Sequence, residues 1–387
     1  MTRRLRLLDR SAYRSTATKS KGFVLNHAAA IDRRSGLRKP AVVETGASRM
    51  NTDPVCPVCS GHRTDVRFAV SASQAAQHFV QQQEHPDLNR TLASHIETLW
   101  GNGSCQIRAC ESCGFGFCWP FVAGDQLFYN LAYPYVAYPR DKWEFGRTIE
   151  ALRGQDLRGK AMLEVGAGYG YFLDLLCGRG ASPSLLTATE YGRTASARLR
   201  ARGVEVIEDD VRSDVLLAMS SRFDFIFLFQ VVEHMDRLDE LFHRLAQLAK
   251  TGACVFIAVP NTAHTDYQET HDSLIDMPPN HVGRWTIEAF RRISSRHGFE
   301  VIAHETQPFN ARLFIRHDLV FSHVRRAQDA PRSLSGRVRS LPRSPLRTVL
   351  EAAVIAAGSI RRLPHWRAAY ADRERLGHSL WVQLKAT

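Results

Sequence analysis

The sequence has no apolar run long enough to cross a bilayer. The nearest candidate, residues 354–360 and their flanks, is short and follows Glu351. Cysteine is scarce: 8 in 387 residues are too few for a disulfide scaffold. Four of the eight fall in two CxxC pairs, which suits metal binding in a reducing compartment, so a cytoplasmic location is expected. The middle of the chain lacks positive charge. The formal net charge is +12, yet residues 1–49 hold 12 Lys/Arg against 3 acids and residues 311–376 hold 14 Arg against 5, a balance of +9 in each. With Lys385 near the end, residues 50–310 are left at −7. A basic catalytic face that tracks a phosphate backbone is therefore not expected, and nucleic acid is disfavoured as a partner. The basic ends could still meet RNA, an anionic membrane surface or an acidic acceptor.

Residues 1–49 lack periodicity and read as a disordered basic tail, either a transit-like targeting peptide or an upstream extension ahead of Met50. Residues 50–120 form a cysteine-bearing module with a Gln- and His-rich helical insert at 73–100. Residues 121–158 are an aromatic linker (Tyr129, Tyr133, Tyr135, Tyr138, Trp143) ending in a helix near 142–152. From residue 159 to 310 strands and helices alternate. Strands are expected at 161–165, 184–189, 204–208, 223–229, 253–259 and 300–304, with helices to about 179 and over 192–202, 238–250 and 287–297. The nearly all-apolar run 223–229 suits the middle of a parallel sheet. An Arg-rich helical insertion, 311–376, precedes a closing strand within 377–387. The fold class is α/β, a doubly wound Rossmann-like sheet of seven strands behind a small N-terminal module.

The first of these strands runs into Glu164-Val-Gly166-Ala-Gly168-Tyr-Gly170. Glycines there let the backbone turn sharply and approach a ligand with no Cβ in the way. Position 171 is Tyr where a dinucleotide fingerprint wants a third small residue, and the acid at 164 suits a cation better than a pyrophosphate. Glu190 follows the second strand, where a carboxylate can accept both hydroxyls of a ribose. Asp209 and Asp210 follow the third and could flank an adenine. Three acidic positions at successive strand ends suit a cationic adenosyl ligand at a topological switch point.

Residues 162–172, Met-Leu-Glu-Val-Gly-Ala-Gly-Tyr-Gly-Tyr-Phe, resemble motif I of class I methyltransferases, which use S-adenosylmethionine (SAM). Residues 223–234 resemble their fourth-strand motif ending in Glu-His. The segment Pro279-Asn-His-Val-Gly-Arg-Trp-Thr286, ahead of Gly298-Phe-Glu-Val301, resembles the subgroup that includes ubiquinone-pathway and sugar methyltransferases. The resemblance covers about 50–310 and the last strand. It implies SAM as cofactor, held by Glu164, Gly166, Gly168, Gly170, Glu190, Asp209, Asp210 and Gln230. In quinone-type relatives an acid ahead of the Glu-His pair joins it on a metal; that position here is Gln230, which argues against a catalytic metal.

Methyl transfer needs an acceptor in line with the sulfonium and, for a hydroxyl or an acidic carbon, a base. Glu233 and His234 at the carboxyl edge of the fourth strand, and His281 in the following loop, are the candidates. His234 could instead cap a strand-to-helix turn, and His281 could be a strut beside Pro278 and Pro279. His264 and His271 are weaker candidates in the same segment, and Trp285 a pocket wall.

Cys56-Pro-Val-Cys59 and Cys110-Glu-Ser-Cys113 supply four thiolates for a tetrahedral zinc site. The run from Cys110 to Phe117 resembles the zinc-ribbon leader of some class I methyltransferases, which implies a structural Zn²⁺. Cys105 and Cys118 are possible substitutes, and Cys177 and Cys254 are expected in the core. Redox chemistry at the pairs is the alternative, although neither opens a helix after a strand. The expected enzyme is a SAM-dependent methyltransferase acting on a small molecule: a sugar, a nucleotide-sugar or another secondary metabolite, an anionic one being suited to the Arg-rich segment. An RNA methyltransferase using the ribbon and the basic ends, or a catalytically silent SAM-binding scaffold, are the alternatives.

Overall fold

The computed structural model describes residues 54–387 except 81, 83–84, 134–138, 272–275, 331 and 342–343. The expectations for residues 1–49, and for Tyr135 and Tyr138 within the aromatic linker, lie outside the described residues.

The chain opens with β1 (Thr64–Ser71), α1 (Ala72–Phe79), α2 (Pro86–Trp100), β2 (Ser104–Cys110) and β3 (Gly116–Trp119). α1 starts on a reciprocal cap: the Ser71 hydroxyl accepts from Gln74 N–H at 3.2 Å and the Gln74 amide oxygen accepts from Ser71 N–H at 2.9 Å. α2 ends on Gly101 at φ +72°, a left-handed cap open to glycine. Next come α3 (Gln126–Ala132) and α4 (Trp143–Ala151).

The large sheet is built from β4 (Met162–Val165), α5 (Tyr171–Cys177), β5 (Leu186–Thr189), α6 (Arg193–Arg200), β6 (Glu205–Ile207), β7 (Phe223–Phe229), α7 (Leu238–Leu248) and β8 (Ala249–Pro260). After it come α8 (Thr262–Thr270), β9 (Gly283–Arg284), α9 (Ile287–Arg296) and β10 (Phe299–Thr306). Four helices, α10 (Ala311–Asp329), α11 (Leu334–Arg339), α12 (Pro345–Ser359) and α13 (Leu363–Ala371), intervene before β11 (Ser379–Ala386).

Among the described residues the strand order is β10-β11-β8-β7-β4-β5-β6, and β11 runs antiparallel to both neighbours. The expected doubly wound α/β class is what forms. β7 lies at its centre with Phe223, Phe225, Ile226, Phe227, Leu228 and Phe229 buried, as a strand covered on both faces requires. Each such side chain contributes roughly 1.5–3 kcal/mol by leaving water. The one polar residue, Asp224, is held at the strand start by Lys160, Lys250 and the Ala161 N–H. α7 buries Leu238, Leu241, Phe242, Leu245 and Leu248, one stripe at helical spacing, and carries Asp239 and Glu240 in its first turn, where acids suit the helix dipole.

Element boundaries differ from expectation where local chemistry intervenes. The strand expected from 184 begins at Leu186, because Pro183–Leu185 make a single 3-10 turn led by a residue without an N–H. The strand expected from 253 starts at Ala249, its backbone passing Gly252 at φ +77°.

The small sheet has the order β1-β2-β3-β9. Its last strand comes from far along the chain: Phe117 pairs with Gly283 and Gly116 with Arg284. The N-terminal module is thereby tied to the loop that follows α8.

Candidate functional site

Gly166 and Gly170 lie at φ +68° and +72°, a region side chains rarely adopt, and a Cβ on Gly166 would sit 2.9 Å from Val231 Cγ2. The loop is fastened to the second strand: Gly166 N–H and Ala167 N–H donate to Thr189 O, and Gly168 N–H donates to Glu190 Oε2 at 2.7 Å. The other oxygen, Glu190 Oε1, accepts from Gly192 N–H at 2.7 Å. Glu190 is thus first a latch between the two loops, and each carboxylate oxygen keeps a further lone pair for a ribose hydroxyl.

Glu164 is buried at the end of β4, and its Oε2 has no hydrogen-bond partner. Burial, opposed by Lys142 and reinforced by Glu190, pushes its carboxyl up to about 8. A buried carboxylate oxygen without a partner is costly, and a cation in the glycine loop would satisfy it. This fits the ammonium of an aminoacyl-adenosyl ligand.

Other expected contacts are differently placed. Asp210 is held by the Arg212 guanidinium, with Nη2 to Oδ2 at 2.7 Å and Nε to Oδ1 at 2.8 Å, which keeps its carboxyl below the usual range despite burial. Asp209 accepts from Ser213 Oγ at 2.6 Å and from Asp210 N–H. Gln230, at φ +59° beyond β7, donates to Glu144 Oε1 and Ser379 Oγ, so it braces α4 against β11.

A second cluster lies past β7. Glu233 and His234 form a single 3-10 turn, and one ligand atom each from Glu233, His234 and His281 lie within 4.8 Å of one another. The His234 and His281 rings meet edge to face at 4.6 Å. His234 Nδ1–H donates to Asn280 O at 2.8 Å, with the Tyr129 hydroxyl at 3.3 Å, leaving Nε2 as the lone-pair nitrogen, 3.9 Å from Glu233 Oε1. Burial and the neighbouring His281 push His234 down to about 3, so it is neutral. His281 Nδ1–H donates to Asp276 Oδ1 at 2.8 Å, and Asp276 also accepts from Thr265 Oγ1 at 2.9 Å. Asp276 raises the His281 imidazole against its burial, and is itself held well below the carboxylate range by His281. Glu233 is buried with neither oxygen partnered, and burial lifts it to about 7. With Glu233 raised by burial and His281 raised by Asp276, the two form a pair that can hold a proton between them.

Asp276 escaped sequence reasoning. The one available signal was its place five residues before His281, and no motif marks it. His264 and His271 lie elsewhere: His264 donates to Leu376 O, and His271 stacks on Tyr267 and His365. Trp285 is buried against Phe115 and Phe290 in the core.

The four cysteines Cys56, Cys59, Cys110 and Cys113 come together, with Sγ atoms within 4.8 Å of one another, Cys56 to Cys113 at 3.7 Å and Cys59 to Cys110 at 3.5 Å. Each pair closes on a tight turn: Ser60 N–H donates to Cys56 O and Gly114 N–H to Cys110 O, both at 2.9 Å. The Cys113 thiol holds Cys56 down to about 5. Four sulfurs at this spacing, one already inclined to be thiolate, fit a tetrahedral soft cation. Cys105 and Cys118, also buried, lie outside this group, as do Cys177 and Cys254. Thr286 Oγ1 donates to Cys113 O at 2.7 Å and Cys118 N–H to Val282 O at 3.1 Å, so the cysteine knuckles hold the strand just after His281.

Residues 139–304 match a family model described as a methyltransferase domain. A ubiquinone biosynthesis O-methyltransferase of Sinorhizobium fredii is 29% identical over 129 residues, 33% of this chain and 51% of that one. The protein of the same name from Azotobacter vinelandii is 27% identical over 149 residues, 33% of this chain and 63% of that one. The chain thus spans about half the length of the first of these relatives. A SAM-dependent methyltransferase of Archaeoglobus fulgidus superposes over 68% of this chain and all of that one at 15% identity and a TM-score of 0.41.

Proposed function

From the class I methyltransferase domain that residues 139–304 make up, we propose that the chain moves a methyl group from SAM to a small, hydroxyl-rich acceptor of the sugar or nucleotide-sugar class. The observation that carries the donor is Glu164, a buried carboxylate with an unpartnered oxygen beside the glycine loop. Glu164 would face the ammonium and Glu190 the ribose hydroxyls, across a loop whose glycines put no Cβ in the way. Bound there, SAM supplies an activated methyl on a sulfonium.

The chain's own work is positioning and proton removal. His281, its Nδ1–H fixed on Asp276, presents the Nε2 lone pair as base, and Asp276 stabilises the imidazolium that results. Glu233 beside it can take the proton onward, and His234 stays neutral and orders the turn. The acceptor class rests on the sign of the unpartnered atoms. Both carboxylate oxygens of Glu233, in the group with His234 and His281, are buried acceptors without partners. A ligand rich in hydroxyl donors would satisfy them, whereas a flat apolar one would leave them bare. The curated relatives are named for ubiquinone biosynthesis, and the donor-hungry cluster is the reason for favouring a more hydroxylated acceptor here. In the same reading, Cys56, Cys59, Cys110 and Cys113 hold a structural Zn²⁺ that stiffens the His281 strand, in a reducing compartment that keeps the thiols free.

The test is methyl transfer from labelled SAM to fractionated small metabolites, by wild type and His281→Ala. Label entering a hydroxylated acceptor, with turnover about 10²-fold lower or more in His281→Ala and SAM affinity kept, is the expected outcome. Undiminished turnover in that variant removes His281 as base. Label entering an apolar quinol instead refutes the acceptor class.

A further inference from the structure

α12 is a surface helix with the composition of a buried one. Between Pro345 and Ser359 its only charged residues are Arg347 and Glu351, which pair with each other at 3.0 Å, and none of its residues is buried. Its inner side is accounted for: Val354, Ile355 and Gly358 face Leu319, Ser322, His323 and Arg326 of α10. The outer side is not. Leu346, Val349, Ala353, Ala356 and Ile360 recur at three- and four-residue steps, the spacing of one helix face, and all are exposed. Leu346 and Val349 are each 65% exposed and Ile360 72%. Right-handed helical backbone at Ile360–Arg362 carries the chain into α13, where Leu363 (49% exposed), Arg367 and Tyr370 (57%) share a face at i, i+4 and i+7. Exposed Arg361 lies beside this ridge and exposed Arg367 on its α13 end, in a segment that carries 14 Arg against 5 acids.

We propose that the outer face of α12 and the start of α13 is a docking surface for an anionic lipid bilayer, on which the helix lies flat. An apolar ridge along α12 with no charge among its exposed residues, and arginines beside it and on its α13 end, matches the layering of an interface, hydrocarbon below and anionic headgroups alongside. Arginine stems can run along the apolar surface while their guanidinium groups reach phosphate. A second copy of the chain would set one +9 segment against another, and like charge opposes that contact. A nucleic acid backbone would use the arginines and leave the ridge in water. Docking here brings the chain to a surface without crossing it, in keeping with the absence, among the described residues, of a helix long and apolar enough to span a membrane. The proposal is independent of the reading of the glycine loop and of His281.

The experiment is co-sedimentation of the full chain with phosphatidylcholine vesicles, with and without phosphatidylglycerol, for wild type, Ile360→Asp/Leu363→Asp and, as an independent variant on the other helix, Leu346→Glu. SAM affinity, which these exposed positions leave unchanged, confirms in the same samples that each variant is folded. The expected result is binding to the anionic vesicles alone, weakened about tenfold or more in both variants and by added salt. Equal binding of wild type and variants, or binding that ignores phosphatidylglycerol, overturns the proposal. So does loss of a concentration-dependent dimer in sedimentation velocity as the variants' main effect, which would assign the ridge to a second copy. Retention of a single-stranded RNA that the ridge variants do not weaken, with no vesicle binding, would assign the arginines to nucleic acid instead.

Discussion

Glu164 makes donor binding depend on pH in a calculable way. Its carboxyl is pushed up to about 8 by burial first, with Lys142 opposing and Glu190 adding to the rise. At pH 7 such a group is ionised in about one molecule in ten, so presenting a carboxylate to an ammonium costs about 1.4 kcal/mol there and almost nothing at pH 9. A ligand that favours the charged form lowers the pKa, so affinity gains as pH rises toward the free group's value and levels off above it. SAM affinity should therefore rise about tenfold through this group between pH 7 and 9, with release of nearly one proton at pH 7. Titration calorimetry at several pH values, in two buffers of different ionisation enthalpy, measures both quantities. The ligand's own amino group also titrates in this range, so Glu164→Gln is the reference: the difference in slope between the two proteins isolates Glu164. The same raised pKa predicts that the ligand-free fold loses stability as pH rises from the ordinary glutamate range through about 8, and that Glu164→Gln flattens that decline. Parallel affinity slopes in wild type and variant would refute the assignment of Glu164 to the cation.

Asp276→Asn keeps an oxygen for His281 Nδ1–H and removes only the charge. A charge-assisted bond of this kind is worth about 1.5–3 kcal/mol, so the His281 pKa should fall by about one to two units, read directly by imidazole nitrogen NMR; an unmoved titration would separate the pair. The acid limb of turnover should move to lower pH with it, since the base loses its proton earlier. On the proposal that the four cysteines hold zinc, a chelator should raise amide exchange at 116–117 and 282–286, around the pairing of β3 and β9, while SAM affinity holds; unchanged exchange there would count against a cation at the knuckles supporting that strand. Gly170→Ala should lower stability by about 1–3 kcal/mol in a thermal melt, because φ is +72° and a Cβ would collide with Leu199; an unshifted transition would mean that the loop relaxes freely.

The large sheet was legible because each of its signals is local. The apolar run of β7, the α7 stripe and the glycine turn each fix their own backbone, and alternation of strand and helix leaves few ways to stack them. Strand ends shifted by a few residues where a proline or a left-handed glycine decided matters that periodicity does not encode. The site was legible in part. Glu164, Glu190, Glu233, His234 and His281 could be named because each follows a strand or lies in a recognisable segment. The partners that set their chemistry could not. Asp276 reaches His281 across a loop, Tyr129 reaches His234 across 105 residues, and Gln230 turned out to brace Glu144 and Ser379.

What the sequence by itself determined is therefore the order of the elements, the turn that approaches a ligand, and the four thiols available to one cation. Only the tertiary structure decided that Glu164 and Glu233 are buried without partners, since desolvation is a property of everything packed around a carboxyl and not of its neighbours in sequence. It also decided that the cysteine knuckles and the strand that follows His281 meet in one small sheet. β9 is two residues long and pairs with β3 from more than 160 positions away, a contact that no local pattern can announce.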